Sequence, residues 1–242
     1  MARLPNPFHS ARPYETPYAS EAGAGAIARF FNAVYAWMAA GLALTALVAW
    51  WVSTQPDLVA MVRSGPILIG LVIAQVALVF TISAATQKLN ALAATALFLL
   101  YSALNGLTLS VLFLVYSQAT LGSAFLITSG MFGGMSLFGF VTKRDLSGLG
   151  SLLFMALIGL ILASVVSIFW RNDMLTTIIN YAGVLIFVGL TAYDTQKLKA
   201  VALATAHDAR AAARYSVNGA LTLYLDFINL FLFLVRILGR RE

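Results

Sequence analysis

Apolar residues gather in long runs separated by short polar stretches. A bilayer core is crossed by about 20 consecutive apolar residues in helical form. Seven runs reach that length, near 33–53, 66–86, 91–116, 119–141, 150–170, 175–195 and 217–238. A membrane β-barrel would instead alternate over segments of about 10 residues, and these runs are about twice as long. The pattern predicts an all-α membrane protein, a bundle of seven transmembrane helices. The third and fourth runs abut at "YSQATLG" (Tyr116 to Gly122), which requires a tight turn. Pro66 opens the second run, where a first helical turn accepts proline. Small residues crowd "AAGLALTALVA" and "GMFGGMSLFGF". They allow close helix approach in lipid, or they reflect the higher glycine content of membrane helices in general.

Composition supports the same class. Of 242 residues, 61% are hydrophobic and 10% charged, with mean hydropathy +0.89. Soluble domains hold about 25% charged residues. With no cysteine, disulfides and thiolate metal sites are excluded. The first 30 residues lack an apolar core segment, so a cleavable signal peptide is not expected. Their Pro, Gly, Ser and Ala content predicts a disordered cytoplasmic tail over 1–24, followed by a transmembrane domain over 25–242.

The formal net charge of +6 does not point to nucleic acid, because the basic residues lie at segment ends and in loops. They read as topology signals and as contacts with anionic lipid of the bilayer. With the N-terminus inside, Arg3, Arg12, Arg29, Lys88, Lys143, Arg144, Lys197, Lys199, Arg210 and Arg214 are cytoplasmic. Arg63, Arg171, Arg236, Arg240 and Arg241 fall on the other side, so the bias favours an N-terminus inside and a C-terminus outside. The arginines of "RILGRRE" resist this assignment. Either the last run crosses fully, or it dips in and returns.

Seven acidic residues, Glu15, Glu21, Asp57, Asp145, Asp173, Asp208 and Glu242, fall in tails or loops. Asp194 and Asp226 are embedded in apolar sequence. An ionisable group at membrane depth faces a protein interior or a wet cavity and marks a pathway. Asp194 has a second reading as a solvated helix end beside Lys197 and Lys199. Asp226 lies between Leu225 and Phe227, with Thr222 one turn back and Asn229 one turn on, so a polar stripe follows one helix face. Two carboxylates close together cannot both be ionised cheaply and titrate as a pair. Such a pair is a proton switch and a weak Ca²⁺ site. It supplies too few oxygens for tight binding, and weak binding is what conduction requires.

Gln75 and Asn105 read as interhelical hydrogen bonds or as pathway lining. Arg236 reads as a snorkelling anchor or an internal cation. His9 and His207 have no partner cluster. There is no phosphate-binding glycine loop, HExxH or GxSxG. An aspartyl dyad of the intramembrane-protease type calls for GxGD, and the chain has "YLDF". No enzymatic activity is expected, and no cofactor.

"LTAYDTQKLK" (Leu190 to Lys199) and "LTLYLDFINLFLFLVRILG" (Leu221 to Gly239) resemble the signature of the Bax inhibitor-1 family. "FGFVTKRDLSGLGSLLFMALIGLI" and "LYSALNGLTLSVLF" are similar to its bacterial members. The resemblance covers about residues 25–240. It implies a seven-helix bundle with the last helix central. It also implies a pH-dependent Ca²⁺ leak across the cytoplasmic membrane, sensed by Asp194 and Asp226. In a calcium-leak member an arginine near the end of the second helix latches this pair. Here that region reads "TISAATQKLN" (Thr81 to Asn90), with Lys88 as its basic residue, and Gln75 stands where an acidic residue can occur. Other bacterial members bind and restrain a membrane-anchored protease, which implies an alternative role as regulator of a membrane partner.

Overall fold

The computed structural model describes residues 17–85, 89–170 and 172–239, and among these residues it is helical without strands. The helices are α1 (Pro17–Ser53), α2 (Pro56–Arg63), α3 (Gly65–Ala84), α4 (Ala91–Leu109), α5 (Leu112–Val115), α6 (Gln118–Val141), α7 (Ser147–Phe169), α8 (Asp173–Ala204) and α9 (Ala209–Leu238). Seven stretches are long and apolar enough to cross a membrane: α1, α3, α4 with α5, α6, α7, α8 and α9. Each apolar run has its helix.

Local chemistry sets the helix ends. The first turn of a helix leaves backbone N–H groups unbonded, and a polar side chain at the N-cap accepts one of them. Asn90 accepts from Ala93 at 2.7 Å, Ser117 from Thr120 at 3.1 Å, Asn172 from Leu175 at 3.0 Å and Asp208 from Ala211 at 2.9 Å. Pro56 and Pro66 occupy first turns, where the missing N–H costs nothing. Tyr116 and Ser117 make the tight turn between α5 and α6.

The structure departs from the apolar pattern in four places. Helix α2 is too short to cross and packs on α1 and α3 through Val59 and Val62. The third run breaks at Ser110 and Val111. There the Ser110 Oγ donates to the Leu107 carbonyl at 2.7 Å, and the Phe113 and Leu114 amides reach back three residues, which tightens the turn. Helix α1 starts at Pro17, so residues 17–24 are helical rather than tail. Proline suits that first position and the alanines after it favour helix. The rest of the expected tail lies outside the described residues.

The fourth departure concerns the last two runs. Helix α8 continues past 195 to Ala204, and α9 begins at Ala209 rather than 217. At about 1.5 Å per residue, their 32 and 30 residues exceed the roughly 30 Å of hydrocarbon. The added turns are rich in alanine, a strong helix former, and bury Leu198, Ala202, Ala211 and Ser216.

Burial is uneven. Within its most apolar window α9 is 56% buried, against 6% for α3 and 11% for α7, so α3 and α7 turn most of their surface outward. Helix α9 packs on α8, α1, α6 and α4. Helix α3 packs on α4 and α2, and α7 packs mainly on α8.

Lipid provides no hydrophobic drive between helices, so close approach and interhelical hydrogen bonds hold the bundle. A Cβ on Gly106 of α4 would stand 2.7 Å from the Thr45 carbonyl of α1. A Cβ on Gly139 of α6 would collide with the Ala192 backbone of α8. Gly130, Gly133 and Gly134 meet nothing within 4 Å, so these three reflect membrane-helix composition rather than packing. Both readings of the small residues hold, at different positions.

Two hydroxyl chains cross the bundle. Asn105 Nδ2 donates to the Tyr224 hydroxyl at 3.0 Å, Tyr224 lies 2.6 Å from Thr45 Oγ1, and Thr45 donates to the Ser102 carbonyl at 2.8 Å. Because Thr45 spends its proton on Ser102, Tyr224 donates to Thr45. The chain joins α4, α9 and α1. Nearer the start of α1, Tyr35 lies 2.5 Å from Ser136 of α6, and Ser136 lies 3.0 Å from Thr195 of α8. Thr195 donates to the Thr191 carbonyl. The Tyr224→Phe variant leaves Asn105 and Thr45 short of a partner, and it lowers stability by about 1–2 kcal/mol. Thermal unfolding in detergent measures this; an unchanged midpoint contradicts the network.

Candidate functional site

Helices α3 and α7 stand apart over α8 and α9 and leave a cavity of about 1000 Å³ between them. Helix α8 offers it Leu190, Asp194 and Lys197. Helix α9 offers Thr222, Asp226, Asn229 and Phe233. These spacings of three and four residues put each set on one helix face, so the polar stripe read along α9 lines one chamber with Asp194.

Asp226 is 4% exposed, and its Oδ2 has no hydrogen-bond partner. A buried carboxylate oxygen in that state is costly unless a cation or a proton satisfies it. The neighbouring polar groups do not. Thr222 spends its hydroxyl proton on the Asn218 carbonyl at 3.1 Å, and Asn229 Nδ2 turns one N–H to the Leu225 carbonyl at 2.8 Å. Asp194 is half-buried and lies within Coulombic reach of Asp226, and Lys197 lies within reach of Asp194. Asp194 is not at a helix end, because α8 runs on to Ala204. The solvated-end reading therefore gives way to cavity lining.

The other sequence candidates divide. Gln75 lines the cavity and also fastens α3 to α4, donating to the Leu104 carbonyl at 3.1 Å and to Thr108 Oγ1 at 2.6 Å. Asn105 is an interhelical bond to Tyr224 and lies outside the cavity lining. Arg236 is exposed, with its guanidinium 5.6 Å from the centre of the Phe233 ring, a cation–π contact. Lys88 lies outside the described residues. His207 borders a smaller cavity of about 350 Å³ beside Arg29. Among the described residues no group of three or more His, Cys, Asp or Glu gathers for a metal.

Sequence reasoning missed two contributions. Tyr101 of α4 and Tyr193 of α8 line the chamber. So do Ser147, Ser151 and Ser164 of α7. The i, i+4 pair Ser147 and Ser151, continued by Phe154, is a helical stripe that periodicity could have flagged.

The turn of α8 after Asp194 grips the α6–α7 loop. Gln196 Oε1 accepts from the Leu146 amide at 2.9 Å and its Nε2 donates to the Arg144 carbonyl at 2.8 Å. Lys199 Nζ donates to the Phe140 carbonyl at 2.9 Å, near the end of α6, where a cation suits the helix dipole. In the same loop, hydrogen bonds from the Ser147 side chain and amide hold the Asp145 carboxyl below the usual carboxylate range. Gln196→Ala removes both loop bonds and lowers stability by about 1–2 kcal/mol; thermal unfolding beside wild type checks it.

The chain was compared with known proteins. The family model described as "Inhibitor of apoptosis-promoting Bax1" matches residues 27–242. The inner membrane protein YbhL of Escherichia coli (strain K12) is 54% identical over 211 residues, covering 86% of this chain and 90% of that one. A Deinococcus radiodurans protein is 46% identical over 213 residues, covering 88% and 91%. One from Borreliella burgdorferi is 42% identical over 215 residues, covering 88% and 93%. The match to the family model begins inside α1 and takes in the other six membrane-crossing helices, and the chain belongs to the Bax inhibitor-1 family.

Proposed function

We propose that this multi-pass membrane protein is a Ca²⁺ leak channel of the cytoplasmic membrane, with its N-terminus in the cytoplasm, whose opening depends on protonation of Asp194 and Asp226. The observation that carries this reading is the joint exposure of both carboxylates to one cavity, with a buried oxygen of Asp226 left unpartnered. A cation entering the chamber meets two carboxylates together with the side chains of Gln75, Thr222, Asn229 and Ser164. That set attracts Ca²⁺ without the six to eight oxygens of a tight site, so the ion can leave again. Past Asn229 the α9 lining ends on Phe233, whose ring stacks on Phe187 of the same lining at 5.9 Å. An apolar stretch of this kind resists hydrated ions until it is wetted or widened. Adding a proton to the pair removes charge from the acidic residues among the described cavity lining and weakens the attraction. Ca²⁺ flux into liposomes holding the purified protein, stepped through pH, tests the reading. No flux at any pH rejects it, and a membrane protease co-purifying with such a silent protein supports the regulator instead. A reporter fused to either terminus reads the orientation.

A further inference from the structure

We propose that the cavity between α3 and α7 binds a lipophilic amine, a hydrocarbon body carrying one protonated nitrogen. The head site is Asp226, which is 4% exposed, with an Oδ2 that has no hydrogen-bond partner. An ammonium N–H supplies the missing donor and the opposite charge together. Among the described residues, Asp194 and Lys197 are the other charged residues in the lining, and the described parts of α3, α4 and α7 contribute none. Two ionised carboxylates and one lysine carry a formal charge of minus one, and an ammonium that balances it lets both carboxylates ionise side by side.

The remainder of the chamber suits hydrocarbon. Helix α3 presents Val76 and Phe80, and α7 presents Phe154, Ile161, Val165 and Ile168. From Phe154 to Ile168 the α7 wall runs about 21 Å at 1.5 Å per residue. A hydrated metal ion leaves this wall uncovered, whereas an alkyl body covers it. The volume of about 1000 Å³ falls at the upper end of sites that enclose small ligands, roughly 300–1000 Å³. Entry follows from the packing. Helices α3 and α7 are the least buried of the spanning helices, so the gap between them is open to a molecule dissolved in the bilayer. A phospholipid amine fits less well, because its phosphate would sit beside the carboxylates, where Lys197 is the one cation among the described lining residues. The inference rests on the aspartates being a cation site, as in the leak reading, but not on conduction.

The test is equilibrium dialysis of radiolabelled decylamine against the full chain in lipid nanodiscs without Ca²⁺, with decanol and ethylamine as controls. Saturable decylamine binding is expected at about one per chain, weakened about tenfold or more in Asp226→Asn, in keeping with loss of a charged hydrogen bond. Decanol lacks the charge and ethylamine the body, so neither saturates. Ile161→Trp, at a position 54% exposed, fills the apolar chamber and leaves both carboxylates in place. It weakens decylamine about fivefold, and it carries the test if Asp226→Asn unfolds. Equal binding to wild type and both variants, or decanol binding as well as decylamine, overturns the proposal. Protein that conducts Ca²⁺ yet does not bind decylamine rejects this inference alone. Protein that binds decylamine yet does not conduct rejects the leak reading alone.

Discussion

Substituting asparagine for Asp226 lowers Ca²⁺ flux through the reconstituted protein about tenfold and flattens its response to pH. A unit charge acting on a divalent ion across roughly 7 Å, at an effective dielectric near 20, amounts to a few kcal/mol. Even after partial compensation by water in the cavity, more than the 1.4 kcal/mol that makes a factor of ten remains. Asparagine keeps the shape and a hydrogen-bonding oxygen, so the effect isolates charge. Stability serves as the control. A buried carboxylate with an unpartnered oxygen is a cost to the fold, so Asp226→Asn unfolds at the same temperature as wild type or higher. Lower flux with undiminished stability assigns the loss to the pathway. Asp194→Asn has the smaller effect, because Asp194 is only half-buried and the exposed Lys197 already offsets it. Unchanged flux and an unchanged pH profile in both variants would remove the pair from the gate.

Asp226 is legible in the sequence because its chemical conflict is one-dimensional. A carboxylate between Leu225 and Phe227, with Thr222 and Asn229 at helical spacing, states its own need for a cavity. The seven spans were legible for a similar reason, since length and apolarity along the chain suffice to define a crossing. Helix ends were less so. Lys197 and Lys199 end the apolar run but not the helix, since lysine is a good helix former and Leu198 and Ala202 go on packing. The same confusion of membrane depth with helix length made Asp194 look like a solvated terminus. What no local reading supplies is the space between α3 and α7. It depends on two helices distant in sequence that each pack along one side. Tyr224 was missed for another reason. A tyrosine in an apolar run does not disclose whether its hydroxyl meets lipid headgroups or, as here, Asn105 and Thr45.

The close approach of α6 to α8 predicts two alanine substitutions of opposite sign on the same helix. Gly133 and Gly139 both lie in α6. At Gly133 a Cβ meets nothing within 4 Å, whereas at Gly139 it runs into the backbone of Ala192 in α8. Gly133→Ala should therefore stabilise by about 0.5–1 kcal/mol, because alanine loses less backbone freedom in a helix. Gly139→Ala meets main chain, which has no rotamer to adopt, so α6 must move away from α8. Overpacking of this kind costs about 1–3 kcal/mol. The displacement also strains the bond between Ser136 and Thr195, one turn away at 3.0 Å, worth about another 0.6 kcal/mol in a membrane bundle. Because Thr195 adjoins Asp194, moving this face of α8 disturbs the cavity as well, so Gly139→Ala alters flux where Gly133→Ala does not. Thermal unfolding of the two variants beside wild type decides the point. Midpoints moving in the same direction would mean that α6 and α8 do not meet at Gly139.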